Sequence, residues 1–123
     1  MFELEKTFNF EGGHVLTHHD GKCSCPHGHS YVLIVKIRGS NLTSSGPKKN
    51  MLIDFGEISK AVLPMIEKYF DHHWINDTLN TDSPTSEYIA KWIFDHLSPM
   101  LPGLYAITLQ ETEKSKVTYI PYL

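Results

Sequence analysis

Residues 27–38 read His-Gly-His-Ser-Tyr-Val-Leu-Ile-Val-Lys-Ile-Arg, and this stretch carries the most informative pattern in the chain. Its apolar residues recur at every second position, which is typical of a β-strand with one buried face. A strand is predicted over residues 29–38. Because strand side chains alternate between two faces, His27 and His29 lie in phase with the apolar positions, which are Tyr31, Leu33, Val35 and Ile37.

The N-terminal segment alternates in the same way. Residues 2–10 place apolar side chains on one face, with Lys6 as the exception. If the strand keeps its register beyond Phe10, His14 joins that face, and Gly12-Gly13 would allow the chain to bend there. Three imidazoles would then project from the inward faces of two strands, near the strand ends.

Two helices and two further strands follow a loop at residues 39–50. Helical spacing predicts a first helix capped by Asp54 and a second one that begins at Ser83 or Thr85. Alternation then predicts strands over residues 105–110 and 117–120. This order is typical of an α+β fold, with a four-stranded antiparallel sheet and two helices packed on one face. Two open sheet edges favour self-association.

Length and composition narrow the classes of protein. A chain of 123 residues with 41% hydrophobic residues predicts a single domain, residues 1–123, rather than a disordered chain. The net charge is −3 without a basic stripe, so no nucleic-acid partner is expected. The longest aliphatic run, Val32–Val35, is too short for a membrane span. Acidic residues stand where a signal peptide would be basic, so a cytoplasmic protein is expected.

The three in-phase histidines predict a metal site. Neutral imidazoles suit Zn²⁺, and His14, His27 and His29 would leave the fourth tetrahedral position open, as in catalytic zinc sites. Solvated or satisfied core histidines are the alternative. A closed structural site could instead use Cys23 and Cys25 with His27 and His29, but these ligands are closer in sequence than in usual structural zinc sites. Both cysteines are predicted to be free thiols.

Two further features suggest proton chemistry and ligand binding. Asp71 precedes His72 and His73, and a carboxylate beside an imidazole can set its tautomer for proton transfer. The alternative is that these histidines merely stabilise a helix C-terminus. Glu111 shares the phase of Tyr105 and the apolar strand positions after it, so its carboxylate points to the apolar side and can accept two parallel N–H bonds. Alternatively, it lies at a fraying strand end.

Six motifs occur in an order that resembles the 6-pyruvoyltetrahydropterin synthase / 6-carboxytetrahydropterin synthase family. The resemblance covers nearly the whole chain, and the ordered set is far more specific than any one motif. The matching segments are Phe8–His14, Cys23 with His27–Ser30, Leu52–Phe55, Asp71–His73, Pro84–Glu87 and Gln110–Thr112.

The resemblance implies the tunnelling fold, in which sheets of several subunits close a β-barrel and two trimers stack into a homo-hexamer. It implies a pterin triphosphate substrate, 7,8-dihydroneopterin triphosphate, and Zn²⁺ held by His14, His27 and His29. It further implies Cys23 as general base, His72 oriented by Asp71 as proton shuttle, and Glu111 as the anchor of the pterin ring. The resemblance assigns no role to Cys25, His18, His19 or His73.

Within the family, the short chain and the close spacing of Cys23 and His27 resemble the queuosine branch. That branch implies a lyase that forms 6-carboxy-5,6,7,8-tetrahydropterin and releases acetaldehyde and triphosphate. The alternative is the pyruvoyl branch, which eliminates triphosphate without cutting the carbon chain. A non-catalytic, zinc-stabilised binding module is the alternative from another class.

Overall fold

The computed structural model describes residues 1–121. The chain forms a single sheet, and its helices lie between the second and third strands in sequence. A short 3₁₀ turn, Lys22–Ser24, precedes the second strand. The elements are β1 (Phe2–His14), β2 (His27–Gly39), α1 (Phe55–Tyr69), α2 (Ile75–Thr78), α3 (Ser86–Leu97), β3 (Leu104–Thr112) and β4 (Ser115–Tyr119).

The sheet has the order β1-β2-β3-β4, and every neighbouring pair is antiparallel. The helices pack on one face of this sheet, which confirms the predicted α+β class. The core lies between the sheet and the helices. It includes Leu33, Val35 and Leu109 from the strands, Ile58 and Val62 from α1, and Ile89 and Ile93 from α3. The helix α2 was not predicted, because four residues are too few for a helical period. Among residues 1–121, no helix is long and apolar enough to span a membrane.

The helix starts agree with the predicted caps. Asp54 accepts a hydrogen bond of 2.9 Å from the N–H of Gly56 at the start of α1. At α3 the cap is Thr85, whose hydroxyl accepts from the N–H of Tyr88 at 3.1 Å, and not Ser83.

Lys6, the charged exception on the buried side of β1, has a structural partner. Its Nζ donates to the carbonyl of Phe55 at 3.2 Å and lies 2.5 Å from Oγ of Ser59. The ammonium group thus reaches the first turn of α1 instead of entering the core.

The predicted phase of β3 is wrong at its first residue. Pairing shifts between Lys36 opposite Ala106 and Ile37 opposite Leu104, so Tyr105 is the extra residue of a bulge. Leu104 therefore faces the core, and the Tyr105 ring lies 3.7 Å from the guanidinium carbon of Arg38. Residues 106–110 keep the predicted alternation, and the pairing of β3 with β4 shifts once more between Gln110 and Thr112.

Strand β1 continues in register to its last residue, so Gly12 and Gly13 do not serve as a bend. Gly12 pairs with His29, and Gly13 pairs with Gly28. A Cβ at Gly12 would lie 2.9 Å from Cδ1 of Ile75, and one at Gly13 would lie 3.2 Å from the ring of Trp74. These glycines instead let the chain around residues 70–75 approach β1 closely.

The substitution Gly12→Ala is expected to destabilise the protein by about 1–3 kcal/mol, because the added methyl group overpacks a fully buried neighbour, Ile75. Urea unfolding of the metal-free protein measures this effect. Gly56→Ala is the matched control, since its Cβ meets only an ordinary contact of 3.4 Å. An equal midpoint for the Gly12→Ala variant and the original chain would contradict the close-approach explanation.

Candidate metal centre

The pairing of β1 with β2 brings the three predicted histidines together. His14 lies directly opposite His27, and Gly12 lies opposite His29. The three ring centroids are 4.5–5.1 Å apart. One ligand atom from each side chain lies within 4.8 Å of the other two. The predicted convergence of imidazoles from two strand ends is therefore present, and the group is able to hold a metal ion.

Backbone carbonyls fix the orientation of two of these rings. Nδ1 of His14 lies 2.9 Å from the carbonyl oxygen of Pro84, and Nδ1 of His27 lies 2.7 Å from that of Cys25. Because a carbonyl only accepts, each Nδ1 carries the proton and each Nε2 is left with a lone pair. Such outer partners hold ligating histidines in one tautomer.

The remaining ring nitrogens meet the requirements of a metal. Nε2 of His14 and Nε2 of His29 are buried, and neither has a hydrogen-bond partner among residues 1–121. Burial lowers the pKa of both side chains, although the carbonyl of Pro84 and the carboxylate of Glu111 oppose this effect at His14. Burial therefore favours the neutral imidazoles that metal ligation needs.

Glu111 lies beside the histidine cluster. Its Oε2 is 3.7 Å from Nε2 of His29, and its side chain is partly buried. The carboxylate also borders a cavity of about 250 Å³ whose other walls are Ser86, Glu87, Ser115, Lys116 and Val117. Burial, and then the charge of Glu111, raise the pKa of the Tyr31 hydroxyl. The carboxylate thus stands between the three imidazoles and an open cavity.

The strand β1 fixes the Asp71-His72 pair. Oδ1 of Asp71 accepts from the N–H of Glu11 at 2.9 Å, and its Oδ2 lies 3.1 Å from Nδ1 of His72. The N–H of His72 donates to the carbonyl of Glu11 at 2.5 Å, which holds His72 in the left-handed region at φ 58°. The N–H of Glu11, and then His72, lower the pKa of Asp71. An ionised Asp71 therefore orients the imidazole of His72.

The other histidines have different neighbours. Nε2 of His73 lies 2.8 Å from the carbonyl oxygen of Glu67, so this ring is turned towards α1. Nε2 of His18 lies 2.9 Å from Oδ2 of Asp82, and Nδ1 of His19 accepts from the N–H of Gly21. The metal-ligating group found among residues 1–121 includes none of them.

A cavity of about 520 Å³ lies between the strand ends that carry the histidines and the loop that contains Asp71, His72 and His73. His27 and His29 form one wall, and His72 with Trp74 forms the other. Trp74 was not singled out from the sequence, since a single aromatic residue after a helix carries no periodic signal. The parallel bridge between Gly13 and Trp74 places it there.

The two cysteines stay outside the histidine group. Cys23 lies in the 3₁₀ turn and is half-buried, whereas Cys25 is exposed. The carbonyl of Cys23 accepts from the N–H of Leu16 at 2.8 Å. Within residues 1–121, the metal-ligating group contains neither thiol. The closed site of two cysteines and two histidines is thus not the cluster that the fold forms, and Cys23 as a general base stays a prediction.

The fold is that of an α+β protein with an antiparallel sheet, and its cluster of imidazoles is able to hold a metal ion. A family model described as 6-pyruvoyl tetrahydropterin synthase matches residues 3–121. The chain therefore belongs to the 6-pyruvoyl tetrahydropterin synthase family, as the ordered motifs predicted.

Curated relatives cover almost the whole chain. The 6-carboxy-5,6,7,8-tetrahydropterin synthase of Haemophilus influenzae is 45% identical over 140 aligned residues, which span 97% of this chain and 99% of the relative. The enzyme of the same name from Synechocystis sp. is 38% identical over 97% of this chain and 93% of its own length. The solved structure of Caenorhabditis elegans 6-pyruvoyl tetrahydropterin synthase has a TM-score of 0.81 and 28% identity, and the match covers 97% of this chain and 94% of that one.

Proposed function

We propose that this protein is a zinc-dependent lyase that converts 7,8-dihydroneopterin triphosphate to 6-carboxy-5,6,7,8-tetrahydropterin, with release of acetaldehyde and triphosphate. The observation that carries the proposal is the convergence of three imidazoles, two of which present buried, unpartnered Nε2 atoms. The names of the relatives from H. influenzae and Synechocystis support the carboxy branch. The resemblance of the short chain and the Cys23–His27 spacing to the queuosine branch supports a place for the reaction in queuosine biosynthesis.

The proposed zinc ligands are His14, His27 and His29. A set of three neutral imidazoles is a common donor set of catalytic zinc, in which one coordination position stays available. Zinc bound there would supply Lewis-acid polarisation of a substrate oxygen. The carbonyls that accept from Nδ1 of His14 and His27 would keep both rings in the ligating tautomer.

The chain's own acid–base groups carry the proposed proton transfers. Asp71 holds Nδ1–H of His72, so Nε2 of His72 is the atom that would take or give a proton. Its side chain is 79% exposed at the cavity of about 520 Å³, where a substrate has access to it. Cys23 is proposed as the base for the opposite face of the substrate, on the strength of its motif spacing to His27.

The choice between the two products is open to a direct test. The purified protein is incubated with 7,8-dihydroneopterin triphosphate, and the zinc stoichiometry and acetaldehyde are measured. Acetaldehyde formation with one zinc per chain is expected. A pyruvoyl product without acetaldehyde would instead establish the second candidate, which the likeness to the C. elegans enzyme favours. If the protein is instead a non-catalytic, zinc-stabilised binding module, it should show no turnover as purified. It should also show none after zinc has been removed with a chelator and added back.

We also propose that the protein is a cytoplasmic homo-hexamer whose sheets close a β-barrel. The strands β1 and β4 are the edges of the sheet, and pairing them between subunits would close both edges. Light scattering coupled to size exclusion tests this, since a monomer at micromolar concentration would be incompatible with the barrel. Mixing two inactive variants, each altered at a different proposed site residue, tests whether an active site uses residues of two subunits. Restored activity in the mixed oligomers would show that it does.

The variant Glu111→Ala is expected to weaken pterin binding by about 2 kcal/mol or more, because the paired N–H edge of the heterocycle would lose its charged acceptor. Isothermal titration of zinc-loaded protein with pterin measures the loss. Glu113→Ala is the matched control, as this exposed carboxylate lies in the β3–β4 turn. Equal affinities of the two variants would contradict the anchoring role of Glu111.

A further inference from the structure

The hydroxyl of Tyr31 is a buried polar group with no partner. The residue is 1% exposed, and its hydroxyl oxygen has no hydrogen-bond partner among residues 1–121. Buried tyrosines usually have a hydrogen-bond partner, and a phenylalanine would fill the same space without an unmet polar group. The presence of this hydroxyl therefore needs an explanation beyond packing.

The ring of Tyr31 is held firmly in place at the metal centre. It stacks on Phe10 with the centroids 4.9 Å apart and an angle of 15° between the ring planes. Its other neighbours are the rings of His29 at 5.4 Å and His14 at 6.2 Å. A ring packed between an aromatic residue and two ligands has little rotational freedom, so the hydroxyl is fixed by the fold.

Tyr31 and Glu111 lie one position beyond the pair Val32–Gln110, where the pairing of β2 with β3 ends. Both side chains are close to His29. Oε2 of Glu111 lies 3.7 Å from Nε2 of His29, and the Tyr31 ring centroid lies 5.4 Å from that of His29. The phenol and the carboxylate are therefore neighbours on the face that carries the histidines.

Three buried atoms in this region have no hydrogen-bond partner, namely Nε2 of His14, Nε2 of His29 and the Tyr31 hydroxyl. A metal on the histidines accounts for the first two. It does not account for the third, since a neutral phenol is not among the usual zinc ligands. A metal also takes the Nε2 lone pair of His29, the atom towards which Oε2 of Glu111 now points at 3.7 Å. The carboxylate is then free to accept from another donor on the same face.

We infer that Tyr31 is a positioning residue, whose hydroxyl donates a hydrogen bond to the Glu111 carboxylate when the metal is bound. A carboxylate has about four lone-pair sites, so Glu111 keeps enough acceptors for the two N–H groups of a bound heterocycle. The hydrogen bond would fix the plane of the carboxylate and thereby the orientation of the ring. The identity of that heterocycle as a pterin rests on the proposed function.

The test is Tyr31→Phe in the full-length, zinc-loaded protein, with Tyr88→Phe on the exposed face of α3 as control. We expect unchanged zinc content. In the metal-free protein, where the Tyr31 hydroxyl has no partner among residues 1–121, we expect an unchanged or higher Tm, because the variant removes an unpartnered buried polar group. We expect the affinity for pterin itself, which is not a substrate, to fall about tenfold. This is the effect of losing one hydrogen bond to a charged group. KM for dihydroneopterin triphosphate should rise by a similar factor while kcat is largely retained.

A second variant shows whether the hydroxyl acts through Glu111. In a Glu111→Ala background, Tyr31→Phe should cause no further loss of pterin affinity, because the group that it positions is absent. Additive losses would overturn the inference, as would an unchanged affinity of the single variant or a fall in Tm with unchanged affinity. Turnover by the unaltered protein tests the proposed function separately, since pterin affinity is measurable whether or not the substrate is consumed.

Discussion

Protein with the substitution His27→Ala is expected to purify without stoichiometric zinc and to lack turnover. Only the imidazoles of His14 and His29 remain in that variant. The lost ligand is the ring that the carbonyl of Cys25 orients. Changes to outer partners of ligating histidines already cost roughly 10–100-fold in metal affinity, so removal of a ligand should cost more. His27 is partly exposed, so its loss leaves no large cavity in the core. Metal analysis and the acetaldehyde assay measure both effects.

His18→Ala is the matched control for this prediction. Its imidazole is exposed and contacts Asp82, and it lies outside the metal-ligating group. That variant should keep zinc and activity. If His27→Ala retained one zinc per chain with unchanged affinity, the three-histidine centre would not be the metal site, and the proposed lyase chemistry would have to be abandoned.

The histidine convergence was predictable because it depends on only two regular rules. Side chains alternate along a strand, and antiparallel neighbours place paired residues on the same face. His14 in phase with Phe10, and His29 in phase with Tyr31, therefore share one face, and the register that pairs His14 with His27 brings them together. Glu111 also lies beside His29, as its phase predicted, although the pairing of β3 with β4 shifts next to it, between Gln110 and Thr112.

Features that depend on contacts distant in sequence were not predictable in this way. The close approach of Trp74 to Gly13 joins segments about 60 residues apart, and alternation along β1 contains no trace of it. The sequence likewise placed Asp71 next to His72, but not the backbone of Glu11 that holds both. A bulge such as that at Tyr105 shifts the phase by one residue without a local marker.

The second large effect is expected for Cys23→Ala, which should keep zinc but lose at least about 100-fold in kcat, the lower range for removal of a general base. The thiol lies outside the three-histidine group, so zinc content should not change. The residue is half-buried in a 3₁₀ turn, where alanine is easily accommodated. Steady-state kinetics with metal analysis of the same sample therefore separates loss of the base from loss of the metal.

Cys25→Ala is the matched control, since it removes an exposed thiol two residues away in the same turn. Its carbonyl still accepts from Nδ1 of His27, because the substitution leaves the backbone intact. If Cys25→Ala lost activity while Cys23→Ala retained it, the base would be the exposed thiol. If only the double variant were inactive, each cysteine would be able to replace the other. Full activity of the double variant would exclude a thiol base, and His72 would then be the remaining candidate for proton abstraction.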